Sequence, residues 1–197
     1  YYKPIKIGER IVIVPAWEKY SAEPDEIVVR MDPGMAFGTG THETTRLVIK
    51  LLEKYIKNGM RVADVGCGSG ILAICASKLG AGECKAYDID PVAVKVANEN
   101  IKDSGLKNVT CEVSDLLKQV DRSGGAYDVI CANIVADIII RMMPDVGALM
   151  DENSVILASG IIVERSEDVI SGFEQHGFKI VERIDENGWC ALAVMKK

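Results

Sequence analysis

Short runs of small and apolar residues alternate along the chain with stretches in which apolar positions recur every three or four residues, an alternation that predicts an α/β fold. In the clearest unit, Val62, Ala63 and Val65 suit a strand buried on both faces, and Ile71, Leu72, Ile74, Cys75 and Leu79 follow at helical spacing. The next strand ends at Tyr87-Asp88. Asp90-Pro91 then reads as an N-cap with proline at the first helical position, and Val92, Val96, Ala97 and Ile101 carry that helix to Gly105. Further strands are expected at 109–113, 127–132 and 155–158, with helices at 138–149 and 164–176. Two strands, 179–184 and 189–194, meet across Asn187-Gly188, so a parallel sheet with one antiparallel strand is expected.

Ahead of this unit, residues 10–14 give a short strand signal, followed by Pro15, Trp17 and Pro24. Residues 1–24 therefore read as an edge strand or linker, and 25–197 as the main domain. A strand at 27–31 stops at Asp32-Pro33-Gly34. A glycine-rich loop runs from Gly34 to His42, and Thr41 is placed to cap a helix with Leu47, Leu51, Leu52 and Tyr55 inward and Asn58-Gly59 as its stop. The chain opens on Tyr1, not Met, which suggests a trimmed or partial sequence.

The 197 residues suit one domain, and 48% hydrophobic with 26% charged residues is ordinary for a soluble globular protein. No apolar run reaches the roughly 20 residues of a membrane helix and no leader pattern is seen, so no membrane association and a cytoplasmic location are expected. Six scattered cysteines without C-x-x-C spacing read as buried thiols, and no metal site is expected. The net charge of -6 gives no basic footprint for nucleic acid, so direct nucleic-acid binding is not expected and a basic protein is the better partner.

The candidate chemistry lies in the turn from Asp64 to Gly70. A dinucleotide fingerprint would need a third glycine where Ile71 stands, and a pyrophosphate would be repelled by Asp64. The pattern D-x-G-x-G-x-G, with Gly66, Gly68 and Gly70, instead suits a cationic ligand without phosphate, and S-adenosylmethionine has that chemistry. Asp88, about 20 residues past Gly66, is placed to accept both ribose hydroxyls, and Ile89 beside it is grouped with the same contact. Asp64 reads either as a ligand contact or as a structural acid fixing the turn. Ser114, with Asp115, sits where an adenine amino group could be met, or in a plain loop. Asn133, after four apolar residues at the same sheet edge, is the candidate catalytic residue, holding an incoming nucleophile; a strand terminator is the competing reading. The loop from Gly34 to His42 reads as a mobile lid whose Phe37 covers the reacting groups and whose Thr39, Thr41 or Thr45 hydroxyls touch the cofactor, or as a turn before a helix. His42 and His176 are assigned to capping or packing.

Taken together, Asp32-Pro-Gly-Met-Ala-Phe37-Gly-Thr-Gly-Thr41-His-Glu-Thr-Thr45, the Asp64–Gly70 turn, Tyr87-Asp88-Ile-Asp-Pro91 and Ala132-Asn133-Ile134 resemble the methyltransferases of large-subunit ribosomal protein eleven. The glycine turn alone indicates only a class I methyltransferase; the Phe-Gly-Thr-Gly-Thr-His run is more specific, and the resemblance covers nearly the whole chain. It implies a Rossmann-like fold with a seven-stranded, mostly parallel sheet, one antiparallel strand and helices on both faces. It also implies methyl transfer from S-adenosylmethionine to lysine or N-terminal amines of a basic ribosomal protein, with Thr45, Gly66, Asp88 and Asn133 at the family's cofactor positions. Two departures stand out. The family carries an additional amino-terminal recognition domain, so this chain reads as the catalytic half. Asn133 is followed by Ile134 and Val135, not by the Pro-Pro-Tyr of many amino-group methyltransferases. Other class I methyltransferases, acting on glutamine amides or nucleic-acid bases, and a non-catalytic cofactor-binding fragment are the alternatives.

Overall fold

The computed structural model of the chain describes residues 3–32 and 42–197. A small sheet comes first: β1 (Ile5–Lys6), β2 (Ile11–Val14) and β3 (Ile27–Arg30), with β1 antiparallel and β3 parallel to β2. Helix α1 (His42–Tyr55) follows, then β4 (Arg61–Val65), α2 (Ile71–Lys78), β5 (Glu83–Asp88), α3 (Pro91–Ser104) and β6 (Val109–Val113). The second half comprises β7 (Val129–Asn133), α4 (Ala136–Val146), β8 (Val155–Ile162), α5 (Ser166–Gln175), β9 (Phe178–Glu186) and β10 (Trp189–Lys196).

The large sheet has seven strands in the order β6-β5-β4-β7-β8-β10-β9, and only β10 runs against its neighbours. The expected sheet, with one reversed strand, is therefore the one found. Alternate residues of each central strand serve opposite layers. Val62, Cys84, Cys131 and Leu157 pack with α1, α2 and α3, whereas Ala63, Val65, Ile130 and Ala132 pack with α4 and α5. All six cysteines are buried and free, as small apolar residues of this core.

The small sheet joins the α1–α3 layer, since Ile7, Ile11, Ile13, Val29 and Met31 belong to the same apolar cluster as Leu47 and Ile74. Glu53 of α1 pins its first turn: its carboxylate accepts from the backbone N–H groups of Glu9, Arg10 and Ile11 at 2.9, 2.6 and 3.3 Å. Gly8 must be glycine there, because a side chain would run into that carboxylate. Glu53→Ala is expected to cost about 2 kcal/mol through the donors left unpaired. Hydrogen exchange should show protection lost across residues 9–14 and retained in β4; unchanged protection of the small sheet would refute the pin.

Element boundaries moved where local signals misled. β8 continues four residues past the expected end at Ala158, because Gly160, at φ 82°, lets the strand bulge and resume pairing through Ile161 and Ile162 with Cys190 and Trp189. Helix α1 stops at Tyr55, ahead of Asn58-Gly59. The last hairpin turns through Asn187 and Gly188 at φ 50° and 83°, as that dipeptide demands.

Candidate functional site

The strand order reverses between β4 and its neighbours β5 and β7, so their carboxyl ends diverge and leave a crevice, the place where open α/β sheets take ligands. A cleft of about 470 Å³ opens there. Gly66, Gly68, Asp88 and Ile89 line one side, Ser114, Asp115 and Leu116 a second, and Asn133, Ile134, Gly160 and Trp189 a third.

The glycine turn is closed upon itself. The Gly66 and Cys67 N–H groups both donate to the Tyr87 carbonyl at 2.8 and 2.9 Å, Gly70 N–H donates to the Cys67 carbonyl at 2.9 Å, and Gly68 N–H donates to Asp88 Oδ2 at 2.9 Å. These N–H groups are thus spent within the protein, the reverse of a phosphate cradle, where such donors point at the ligand. Gly66, at φ 71°, could not be alanine, because a Cβ would lie 2.5 Å from Ile134 Cγ2. Asp88 Oδ1 accepts from Asp90 N–H at 3.0 Å, so each carboxylate oxygen is held by one bond and retains accepting capacity toward the cleft.

Asp64 lies beneath the turn, 1% exposed, and neither of its carboxylate oxygens meets a donor in bonding geometry. Burial pushes its pKa up to about 7; the Ala73 N–H offsets part of this without closing a proper bond, and the Asp88 charge adds to the rise. Asp88 in the cleft wall and Asp64 below it, neither ion-paired among the described residues, make an electrostatic site for a positive ligand.

On the third side, Asn133 pairs in register with Ser159, Ile134 N–H donates to the Ser159 carbonyl at 3.1 Å, and the Ser159 hydroxyl donates to the Thr44 carbonyl at 3.1 Å. A Cβ at Gly160 would come within 2.8 Å of the Ile134 carbonyl oxygen and 3.1 Å of Asn133 Oδ1, so glycine is what leaves the Asn133 amide room beside the cleft.

Of the residues singled out from the sequence, Gly66, Gly68, Asp88, Ile89, Ser114 and Asn133 meet at the cleft. Gly70, at φ 83°, is the N-cap of α2 behind it, and Asp64 lies below. Thr45 is buried, and its neighbour Thr44 faces the cleft. Phe37, Thr39 and Thr41 fall outside the described residues. The Ser114 hydroxyl donates to the Leu116 carbonyl at 2.7 Å, shaping a loop in which Leu116 takes φ 51° and lines the cleft with Asp115. Trp189, Gly160 and Arg141 went unread in the sequence. A glycine inside an apolar strand was the one available signal, for Gly160; nothing local marks Trp189, which reaches the cleft only because β10 inserts beside β8. Among the described residues, no group of three or more His, Cys, Asp or Glu side chains is arranged to hold a metal, and no helix is long and apolar enough to cross a membrane.

This sheet order, with its crevice beside β4, defines a Rossmann-like methyltransferase fold, shared with the precorrin-6y C5,15-methyltransferase of Geobacter metallireducens GS-15 (TM-score 0.63, 15% identity, over 76% of this chain and 87% of that one). The family model described as Ribosomal protein L11 methyltransferase matches residues 1–197, and the chain belongs to that family. It is 52% identical over its whole length to the Ribosomal protein L11 methyltransferase of Caldanaerobacter subterraneus subsp. tengcongensis, and spans 62% of that curated relative. A crystal structure of the ribosomal protein L11 methylase from Lactobacillus delbrueckii subsp. bulgaricus superposes with a TM-score of 0.91 at 34% identity, covering 100% of both chains.

Proposed function

We propose that this chain transfers methyl groups from S-adenosylmethionine to amines, lysine side chains or an N-terminal amine, of large-subunit ribosomal protein L11, in the cytoplasm. The observation that carries the reading is the combination of spent N–H groups in the glycine turn with two acids that meet no cation among the described residues: Asp64, whose oxygens are unbonded there, and Asp88, whose oxygens keep accepting capacity toward the cleft. That combination disfavours phosphate and suits an adenosyl ligand bearing an ammonium and a sulfonium. The orphaned buried oxygens of Asp64 are the fit one expects where a cation completes the site.

In this reading S-adenosylmethionine supplies an electrophilic methyl group, and the protein supplies alignment and exclusion of water. Asp88 would accept from the ribose hydroxyls, with Ile89 beside it on the adenosyl side. Asp115, next to Ser114, and the backbone at Leu116 would meet the adenine edge, and Gly66, Gly68 and Gly70 would let the chain pass close to the methionine end. Thr45 belongs to the same reading by family position, and Phe37 and Thr39 by their place in the glycine-rich loop before it. The attacking amine must be neutral, yet a free lysine titrates near 10.4 and an α-amine near about 8. The apolar wall of Ile134, Val135 and Trp189 disfavours the charged amine and lowers its pKa. Asn133 orients the nitrogen through its carbonyl oxygen, directing the lone pair at the methyl group. The excess of acidic residues suits a basic ribosomal protein as partner, with no direct nucleic-acid contact.

The test is transfer of labelled methyl groups to unmodified L11. Asn133→Ala should lower turnover by about thirtyfold, the value of one well-placed hydrogen bond in the transition state, with cofactor affinity changed less than about threefold. Full turnover in that variant would remove Asn133 from the mechanism, and no label on L11 from either this chain or a version extended at its amino terminus would overturn the substrate assignment.

A further inference from the structure

Arg46 of α1 and Glu186 at the end of β9 face each other with Nε 3.8 Å from Oε2. Both atoms are buried, and among the described residues neither has a hydrogen-bond partner. A buried donor and acceptor left open opposite each other is a costly arrangement, and a shift of about 1 Å would close it into a charge-assisted bond. What that shift would move is the tip of the last hairpin. Glu186 pairs directly with Trp189 across Asn187-Gly188, and Trp189 forms part of the cleft wall. The backbone ladder does not determine the position of this tip alone, because the β8–β10 register slips between Cys190 and Leu192. On the β8 side the tip pairs through Trp189 with Ile162, and the Val163 N–H donates to the Gly188 carbonyl at 2.9 Å. Arg46, for its part, is two residues beyond Thr44, which faces the same cleft and whose carbonyl holds Ser159.

We infer that Arg46 and Glu186 are positioning residues: their ion pair tethers the Trp189 hairpin to helix α1, so that the wall facing the amine is set by the helix that borders the cofactor. The role assigned to the wall rests on the methyl-transfer reading; the tether itself does not. Lys54 and Tyr55 of α1 bond to Glu182, four residues before Glu186, whereas Arg46 faces the tip itself.

The experiment uses the full chain carrying Trp17→Phe, which leaves Trp189 as its one tryptophan. Glu186→Gln and Arg46→Gln are each expected to make Trp189 emission severalfold more sensitive to acrylamide. They should lower kcat/KM for L11 by about tenfold through misplacement of the wall, while S-adenosylmethionine affinity changes less than about twofold. The exchanged pair Arg46→Glu with Glu186→Arg should restore both readouts. Unaltered quenching in the single variants would overturn the tether. So would turnover, cofactor affinity and melting temperature falling together with no recovery in the exchanged pair. If neither this chain nor its amino-terminally extended form transfers methyl to L11, the proposed function fails while the quenching measurement still decides the tether.

Discussion

Replacing Asp88 with alanine is expected to weaken S-adenosylmethionine binding by about a thousandfold, because it removes the acceptor for two ribose hydroxyls, each charge-assisted bond being worth about 1.5–3 kcal/mol. The same substitution frees Gly68 N–H, now held by Oδ2 at 2.9 Å, so the glycine turn loses an anchor together with the ligand contact. Asp88→Asn should retain part of the affinity, since its carbonyl oxygen still accepts one hydroxyl. Calorimetric titration measures both, and melting curves separate ligand loss from unfolding. A loss smaller than about tenfold in the alanine variant would mean that the ribose is not held there.

The second large effect is a pH dependence set by Asp64. Its pKa is about 7 in the folded chain against 3.8 for the free group, so between those values the folded protein holds a proton that the unfolded chain has released. Stability of the ligand-free protein is therefore expected to fall as pH rises from about 4 to about 7, by about 1.4 kcal/mol per pH unit, and then level off. Asp64→Asn should flatten this slope and raise the melting temperature at pH 8, with little change at pH 4. Ionised Asp64 also favours a cation, so S-adenosylmethionine should bind about tenfold more tightly at pH 8 than at pH 6, a difference that Asp64→Asn abolishes. An unchanged pH slope in the variant would show that another group titrates.

Much of the candidate site was legible because it is built at strand tips, where sequence order and spatial order coincide. Gly66 and Ser114 follow β4 and β6, Asp88 and Asn133 end β5 and β7, and in a parallel sheet all such tips share one edge. The third wall was illegible for the converse reason. Trp189 begins the one reversed strand, so its amino-terminal end meets the carboxyl ends of the others, and no local pattern carries that information. Thr45 and Thr44 differ by one helical step, about 100°, and which of them faces the cleft depends on how α1 rolls against β8 and β10. Ser114 was placed from the sequence where an adenine amino group could be met, or in a plain loop; the fold sets it at the cleft with its hydroxyl donating to the Leu116 carbonyl.

The chain's sequence by itself determined the α/β class, the glycine turn, the two acids and the reversed last hairpin, because each depends on side-chain periodicity or on backbone conformations that only a few residue types adopt. Only the tertiary structure decided that Asp64 lies without a donor beneath the turn, that Gly160 makes room for Asn133, and that Arg46 faces Glu186 beside Trp189. Those facts arise between residues far apart in the chain, where solvent exclusion and packing, not local preference, set which polar atoms are satisfied.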